Sequence, residues 1–140
     1  MKAKVVVDSD SIFAIYNPND PLNKKAIKTF HTLIAQEYQL IYPSSVIFEV
    51  ISLFQRVLPN PKVTKSLIEM VINANLTIYI IDYEILKEAA KLFNPSGSKK
   101  NTLIDCSVAV VAKKLNAGVF SYDNYYSKQG LKLAEDLTEN

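Results

Sequence analysis

Apolar residues along the chain follow two alternating patterns. Short uninterrupted runs read as strands covered on both faces, and longer stretches with apolar residues every three or four positions read as helices. Lys4-Val5-Val6-Val7 is the first run. The spacing predicts a helix from near Ser11 and a longer one after Asp20-Pro21, where Leu22, Ala26, Phe30, Leu33 and Ile34 share a face. Gln39 to Tyr42 is a second strand, stopped by Pro43. Ser44 or Ser45 can cap a helix running through Val57, which Pro59-Asn60-Pro61 ends.

The alternation continues. A helix over Lys62–Asn73 carries an exposed Lys65/Glu69 pair, and Leu76 to Ile81 is a third strand. Asp82 caps a helix over Tyr83–Phe93, Asn94-Pro95-Ser96-Gly97-Ser98 is a loop, and a helix over Thr102–Leu115 stops at Ala117-Gly118. Val119 to Tyr122 is a fourth strand, then a turn of helix, then a possible fifth strand at Leu131 to Ala134. Strands alternating with helices imply a mostly parallel sheet of four or five strands between helical layers, a three-layer α/β/α sandwich. With no repeat, linker or low-complexity segment, the 140 residues read as one domain over 1–140.

Composition narrows the chemistry by exclusion. A chain 49% apolar and 21% charged can build a core without staples. The lone Cys106 excludes a disulfide framework or a four-thiolate metal site, and the lone His31 a histidine-rich zinc site. Asp8 interrupts the first apolar run and no stretch reaches the roughly 18 apolar residues of a membrane span. The expectation is a soluble, cytoplasmic protein with no membrane partner. A net charge of +2, with Arg56 alone among lysines, favours phosphate contact over base reading by these side chains if nucleic acid binds.

Four acids stand in apolar company: Asp8 after Val5-Val6-Val7, Glu49 within Val46–Ile51, Asp105 within Leu103–Cys106, and Asp123 after Val119–Tyr122. Glu49 shares a narrow polar stripe with Ser45, Ser52 and Arg56, whereas Asp105 has Val108, Ala109 and Ala112 beside it. Burying an unpaired carboxylate costs several kcal/mol unless a cation, a metal or hydrogen bonds offset it. Parallel sheets put sites at the carboxyl ends of their strands. Asp8 and Asp123 lie at such ends, and Glu49 and Asp105 lie in the first two turns of helices leaving the same edge. Convergence would set like charges together, and hard oxygen ligands without histidine or thiolate suit Mg²⁺ or Mn²⁺. Such ions, with phosphate oxygens completing their shell, suit phosphodiester or phosphoryl chemistry.

Each acid also has an ordinary reading. Asp123 can cap the next turn, Asp105 can be the acid three after a Thr102 cap, and Glu49 can pair with Arg56. Asp10, Asp20 and Asp82 read as caps, His31 as an ordinary helix residue and Cys106 as a small buried one.

Taken in order, these segments resemble the PIN domain family, and within it the VapC-type toxin ribonucleases. Val5-Val6-Val7-Asp8-Ser9 resembles the opening strand and its metal-binding aspartate, and Ser45-Val46-Ile47-Phe48-Glu49 the helix with the second acid. Leu103-Ile104-Asp105-Cys106-Ser107-Val108-Ala109 resembles the third motif, and Phe120-Ser121-Tyr122-Asp123-Asn124-Tyr125-Tyr126 the last. Ser121 stands where threonine is commoner, Tyr126 where phenylalanine is, and no further acid follows Asp123. The resemblance implies Mg²⁺- or Mn²⁺-dependent hydrolysis of RNA, with Asp8, Glu49, Asp105 and Asp123 holding the metal and Ser9 and Ser121 fixing the carboxylates. It also implies a small antitoxin partner and a homodimer, for which the surface around Ile47, Ile51 and Phe54 is a candidate. Lys99 and Lys100 are candidates for phosphate contact, and Tyr125 and Tyr126 lie near the expected site.

Two rival readings stand beside this one. Asp8-Ser9-Asp10 also resembles the signature of haloacid-dehalogenase-type phosphatases, with Asp8 as nucleophile and Asp10 as acid/base, but that leaves Glu49 and Asp105 unexplained. The other is a non-catalytic binding module on the same fold.

Overall fold

A computed structural model of the chain describes residues 2–139. Four strands, β1 (Lys4–Val7), β2 (Gln39–Pro43), β3 (Ile78–Tyr79) and β4 (Gly118–Phe120), form one sheet in the order β3-β2-β1-β4, every pair parallel. Val5, Val6 and Val7 are all buried, as a central strand covered on both faces requires. Helices α1 (Ser9–Tyr16), α2 (Asn23–Ala35), α3 (Ser44–Arg56) and α4 (Pro61–Ile72) pack on one another along one face. On the other, α6 (Leu103–Leu115) covers β1, β2 and β4, and α5 (Tyr83–Leu92) packs on α6. Two short helices, α7 (Tyr125–Lys128) and α8 (Ala134–Thr138), complete the chain. This is the expected three-layer α/β/α arrangement, its sheet four-stranded and wholly parallel.

Helix α6 is the most deeply set element, with an unbroken buried run from Asp105 to Ala112. Its small and β-branched residues let the helix lie close to the sheet. It stops at Asn116, whose left-handed φ of 51° ends it, rather than at Ala117-Gly118. Gly118 instead opens β4.

Other boundaries differ for identifiable reasons. The α1 helix begins at Ser9 because Asp8 itself is its N-cap, accepting from the Ser9 N–H at 2.7 Å. Pro43 pairs in β2, and neither Ser44 nor Ser45 caps α3. The Ser44 hydroxyl accepts from the Ile81 N–H at 2.9 Å, and Ser45 and Ser107 share a hydroxyl–hydroxyl bond of 2.8 Å. Asp20 accepts from the Leu22 N–H in the turn before α2, whose N-cap is Leu22. β3 keeps only two paired residues, and the expected fifth strand reduces to an isolated bridge between Val119 and Leu133. Lys65 and Glu69 form no ion pair: the pairs among the described residues are Lys25–Glu135, Lys87–Glu84 and Lys91–Glu88.

Phe54 is fully buried, stacked 5.0 Å from Phe13, and Ile47 and Ile51 line an apolar core cavity of about 80 Å³ with Val50 and Leu67. Of the three, Phe54 is wholly withdrawn into the core, whereas Ile47 and Ile51 are half-buried. On α3 it is Phe48 that faces outward, 77% exposed. No helix among the described residues is long and apolar enough to cross a membrane.

Gly118 sits where a side chain would collide. A Cβ there would lie 2.6 Å from the Leu137 Cδ1 and 3.1 Å from the Lys132 carbonyl oxygen, which is held by the Val119 N–H at 2.9 Å. Gly118→Ala is expected to cost about 1–3 kcal/mol through overpacking. The urea midpoint should fall while the denaturant slope stays constant.

Candidate active site at the carboxyl edge of the sheet

The parallel register builds the site. Val7 pairs with Phe120, and the Asp8 N–H extends that ladder to the Phe120 carbonyl at 3.1 Å, so Asp8 and Ser121 leave adjacent strands side by side. Glu49 reaches the same edge from α3 and Asp105 from the first turn of α6. Asp8, Glu49, Asp105 and Asp123 all line one cleft of about 400 Å³, together with Asp10 and Asp20. The sequence expectation of convergence on a shared cleft therefore describes what the fold does with these four residues.

Neutral donors, rather than cations, hold the acids. The Ser9 hydroxyl donates to Glu49 Oε1. Asp8 Oδ2 accepts from the Tyr126 hydroxyl at 2.5 Å. Asp105 and Thr102 form a reciprocal capping box, in which Asp105 Oδ2 accepts from the Thr102 N–H at 2.9 Å. Asp123 Oδ1 accepts from the Tyr125 N–H at 2.9 Å, and Asn101 donates to its Oδ2 at 3.3 Å. No ion pair among the described residues includes any of these acids, so the alternative reading of Glu49 as paired with Arg56 does not hold. Arg56 Nε donates instead to the Ser52 carbonyl, and Arg56 and Lys100 line the cleft beside the acids. Lys99, one residue away, is exposed and does not line it.

The electrostatic consequence is a set of reluctant carboxylates. Burial pushes Asp8 well above its ordinary value of 3.8, and the charges of Asp10 and Asp105 push the same way against the hydrogen bonds from Tyr126 and Ser9. Asp10 is raised by burial, and Asp105 is pushed up to about 6 by burial, then by Glu49, Asp123 and Asp10. Tyr126 is held as a neutral phenol by burial and by the neighbouring Asp8 and Asp105 charges. Among the described residues no three acids, histidines or thiols form a ready-made coordination shell. The donor set nonetheless fits a hard divalent cation, being carboxylate oxygen with no histidine or thiolate lining the cleft.

Two positions make contacts that the sequence reading did not anticipate. Asp10 is no simple cap: its Oδ2 accepts from the Ser121 hydroxyl and the Tyr122 N–H, each at 2.9 Å, tying α1 to the loop that carries Asp123. Ser121 therefore serves Asp10 directly, and supports Asp123 by accepting its N–H at 3.1 Å. Tyr126 is fully buried against Asp8, whereas Tyr125 bonds the Cys106 thiol at 3.4 Å. The strand register that unites Asp10 with Ser121 had no local signal. Tyr126 had one, lying three residues after Asp123, one helical turn on.

Comparison with known proteins agrees with this fold. The family signature described as PIN domain matches residues 5–130. Among solved structures, the chain is similar to VapC20 of Mycobacterium tuberculosis, a sarcin-ricin loop cleaving toxin, at 15% identity and TM-score 0.76, covering 91% of this chain and 95% of that one. It is also similar to FitAcB from Neisseria gonorrhoeae, at 17% identity and TM-score 0.64, covering 92% of this chain and 95% of that one. FitAB bound to the IR36 DNA fragment gives 14% identity and TM-score 0.67, covering 92% of each. No curated protein sequence matches the chain.

The raised Asp105 fixes the sign of a pH effect. Between pH 3.8 and about 6 the folded protein holds this proton more tightly than the unfolded chain does, so stability falls as pH rises through that window. Asp105→Asn removes the penalty. In chelator its melting temperature should exceed the wild type's at pH 7, with the difference shrinking toward pH 4; a difference independent of pH would contradict this origin.

Proposed function

The chain belongs to the PIN domain family, and we propose that it is a Mg²⁺- or Mn²⁺-dependent ribonuclease, hydrolysing RNA phosphodiester bonds at the acidic cleft as the toxin of a toxin–antitoxin pair. The observation that carries this reading is the cleft itself: acids from four separate segments line it with no ion-paired cation among them. Asp8, Glu49, Asp105 and Asp123 are the residues that would hold the metal. A bound divalent ion would supply positive charge against the phosphate oxygens and lower the pKa of a coordinated water. Bringing the carboxylate oxygens to coordination distance requires side chains to turn inward, which mutual repulsion otherwise opposes.

The remaining roles follow from position. Ser9 orients Glu49 through its hydroxyl, Asp10 and Ser121 hold the loop bearing Asp123, and one of the carboxylates orients the attacking water. Lys100 and Arg56, lining the same cleft, attract the phosphodiester backbone. Lys100 is the phosphate-contact lysine of the pair, since Lys99 lies outside the lining. A small antitoxin covering the cleft, a homodimer, a single functional domain over 1–140 and a cytoplasmic location complete the proposal.

The phosphatase reading no longer separates from this one through Asp10, because Asp10 braces the same site. Substrate choice separates them. A single-stranded RNA oligonucleotide should be cleaved with Mg²⁺ or Mn²⁺ and not with chelator, while a small phosphate ester is untouched. Asp105→Asn should lower the cleavage rate by more than the roughly 10–100-fold typical of groups that only orient a metal ligand, and Lys100→Ala should raise KM severalfold with a smaller effect on kcat. Cleavage that survives chelator or Asp105→Asn would overturn the nuclease reading. No divalent-ion binding by calorimetry, with full stability retained, would favour a non-catalytic module.

A further inference from the structure

One hydroxyl lies between two of the cleft's acids. Tyr126 Oη is 2.5 Å from Asp8 Oδ2 and 3.4 Å from Asp105 Oδ1, and its side chain is completely buried. Its ring is fixed edge-on to Tyr125, with centroids 5.3 Å apart, so the hydroxyl has little freedom except rotation of its proton. Asp8 Oδ1 accepts the Ser9 N–H at 2.7 Å. Each Asp8 oxygen therefore accepts one hydrogen bond and keeps a further lone pair.

We infer that Tyr126 is a positioning residue for divalent-cation binding, its hydroxyl anchoring Asp8 with Asp105 as the alternative, more distant acceptor of the same proton. This rests on the proposed metal-dependent reading of the cleft. A phenol suits the task because it is neutral. A lysine or arginine in its place would neutralise the acids by itself and compete with the ion, whereas a hydroxyl supplies one proton and leaves both negative charges for the cation. That single proton can serve either acid, so whichever oxygen turns toward the ion can be released while the other stays anchored. Groups that orient metal ligands in this way typically change metal affinity or activity 10–100-fold when removed.

Calorimetric titration of Mn²⁺ into wild type, Tyr126→Phe and Tyr125→Phe tests this. The expected result is a Kd about tenfold higher for Tyr126→Phe, and a wild-type Kd for Tyr125→Phe, whose hydroxyl meets only Cys106. An unchanged Kd in Tyr126→Phe, or equal weakening in both variants, overturns the inference and leaves the nuclease reading standing. Absence of Mn²⁺ binding by wild type overturns both. Should Tyr126→Phe fail to fold by circular dichroism, ¹³C-tyrosine-labelled wild type titrated with Mg²⁺ decides: the Tyr126 resonance should shift at saturation and that of the exposed Tyr83, which does not line the cleft, should not. A Tyr126 resonance that stays put overturns the inference.

Discussion

Negative groups crowded into a half-buried cleft repel one another, and a fold that gathers them must restrain them by some other means. Here the restraint comes from neutral hydrogen-bond donors: the hydroxyls of Ser9, Ser121 and Tyr126, the peptide N–H groups of Ser9, Thr102, Tyr122 and Tyr125, and the Asn101 amide. Each fixes an oxygen without cancelling its charge. Arg56 and Lys100 line the cleft, yet neither forms an ion pair with these acids among the described residues. The acids thus stay hydrogen-bonded without a neutralising partner, which is the basis for the proposed cation site.

The parallel sheet is what makes the crowding possible. Side-by-side strands release their chains at the same edge, and the Val7–Phe120 pairing sets the residues after β1 against those after β4. Helix α6, buried along most of its length, brings Asp105 in from the opposite layer, and its capping box costs the carboxylate only one of its oxygens. The apolar core cavity has no acid in its lining, and packing around it concerns stability rather than chemistry. Raised carboxyl pKa values show that the arrangement opposes folding at neutral pH, as functional sites commonly do.

Much of this was legible from residue types. An acid inside a run such as Leu103-Ile104-Asp105-Cys106 is conspicuous because its neighbours must be buried, and the same logic marked Asp8, Glu49 and Asp123. Where the reading failed, the cause was competition from distant partners. Ser44 and Ser45 look like caps, yet their hydroxyls are taken by Ile81 and Ser107, residues 37 and 62 positions away. Asp10 looks like a first-turn acid of α1, and becomes a brace only because Ser121 and Tyr122 arrive beside it. Leu131–Ala134 has a strand's composition but gains only the bridge to Val119, since the chain turns at once into α8.

The sequence by itself determined the order of strands and helices, the parallel sheet and the acids that would have to be explained, because hydrophobic periodicity and the cost of burying charge are local properties of a chain. Only the tertiary structure decided which donor meets which carboxylate. Strand register, the path of the loop after β4 and the depth of Tyr126 arise from packing between segments more than a hundred residues apart, as between Asp8 and Tyr126, and no local pattern carries that information.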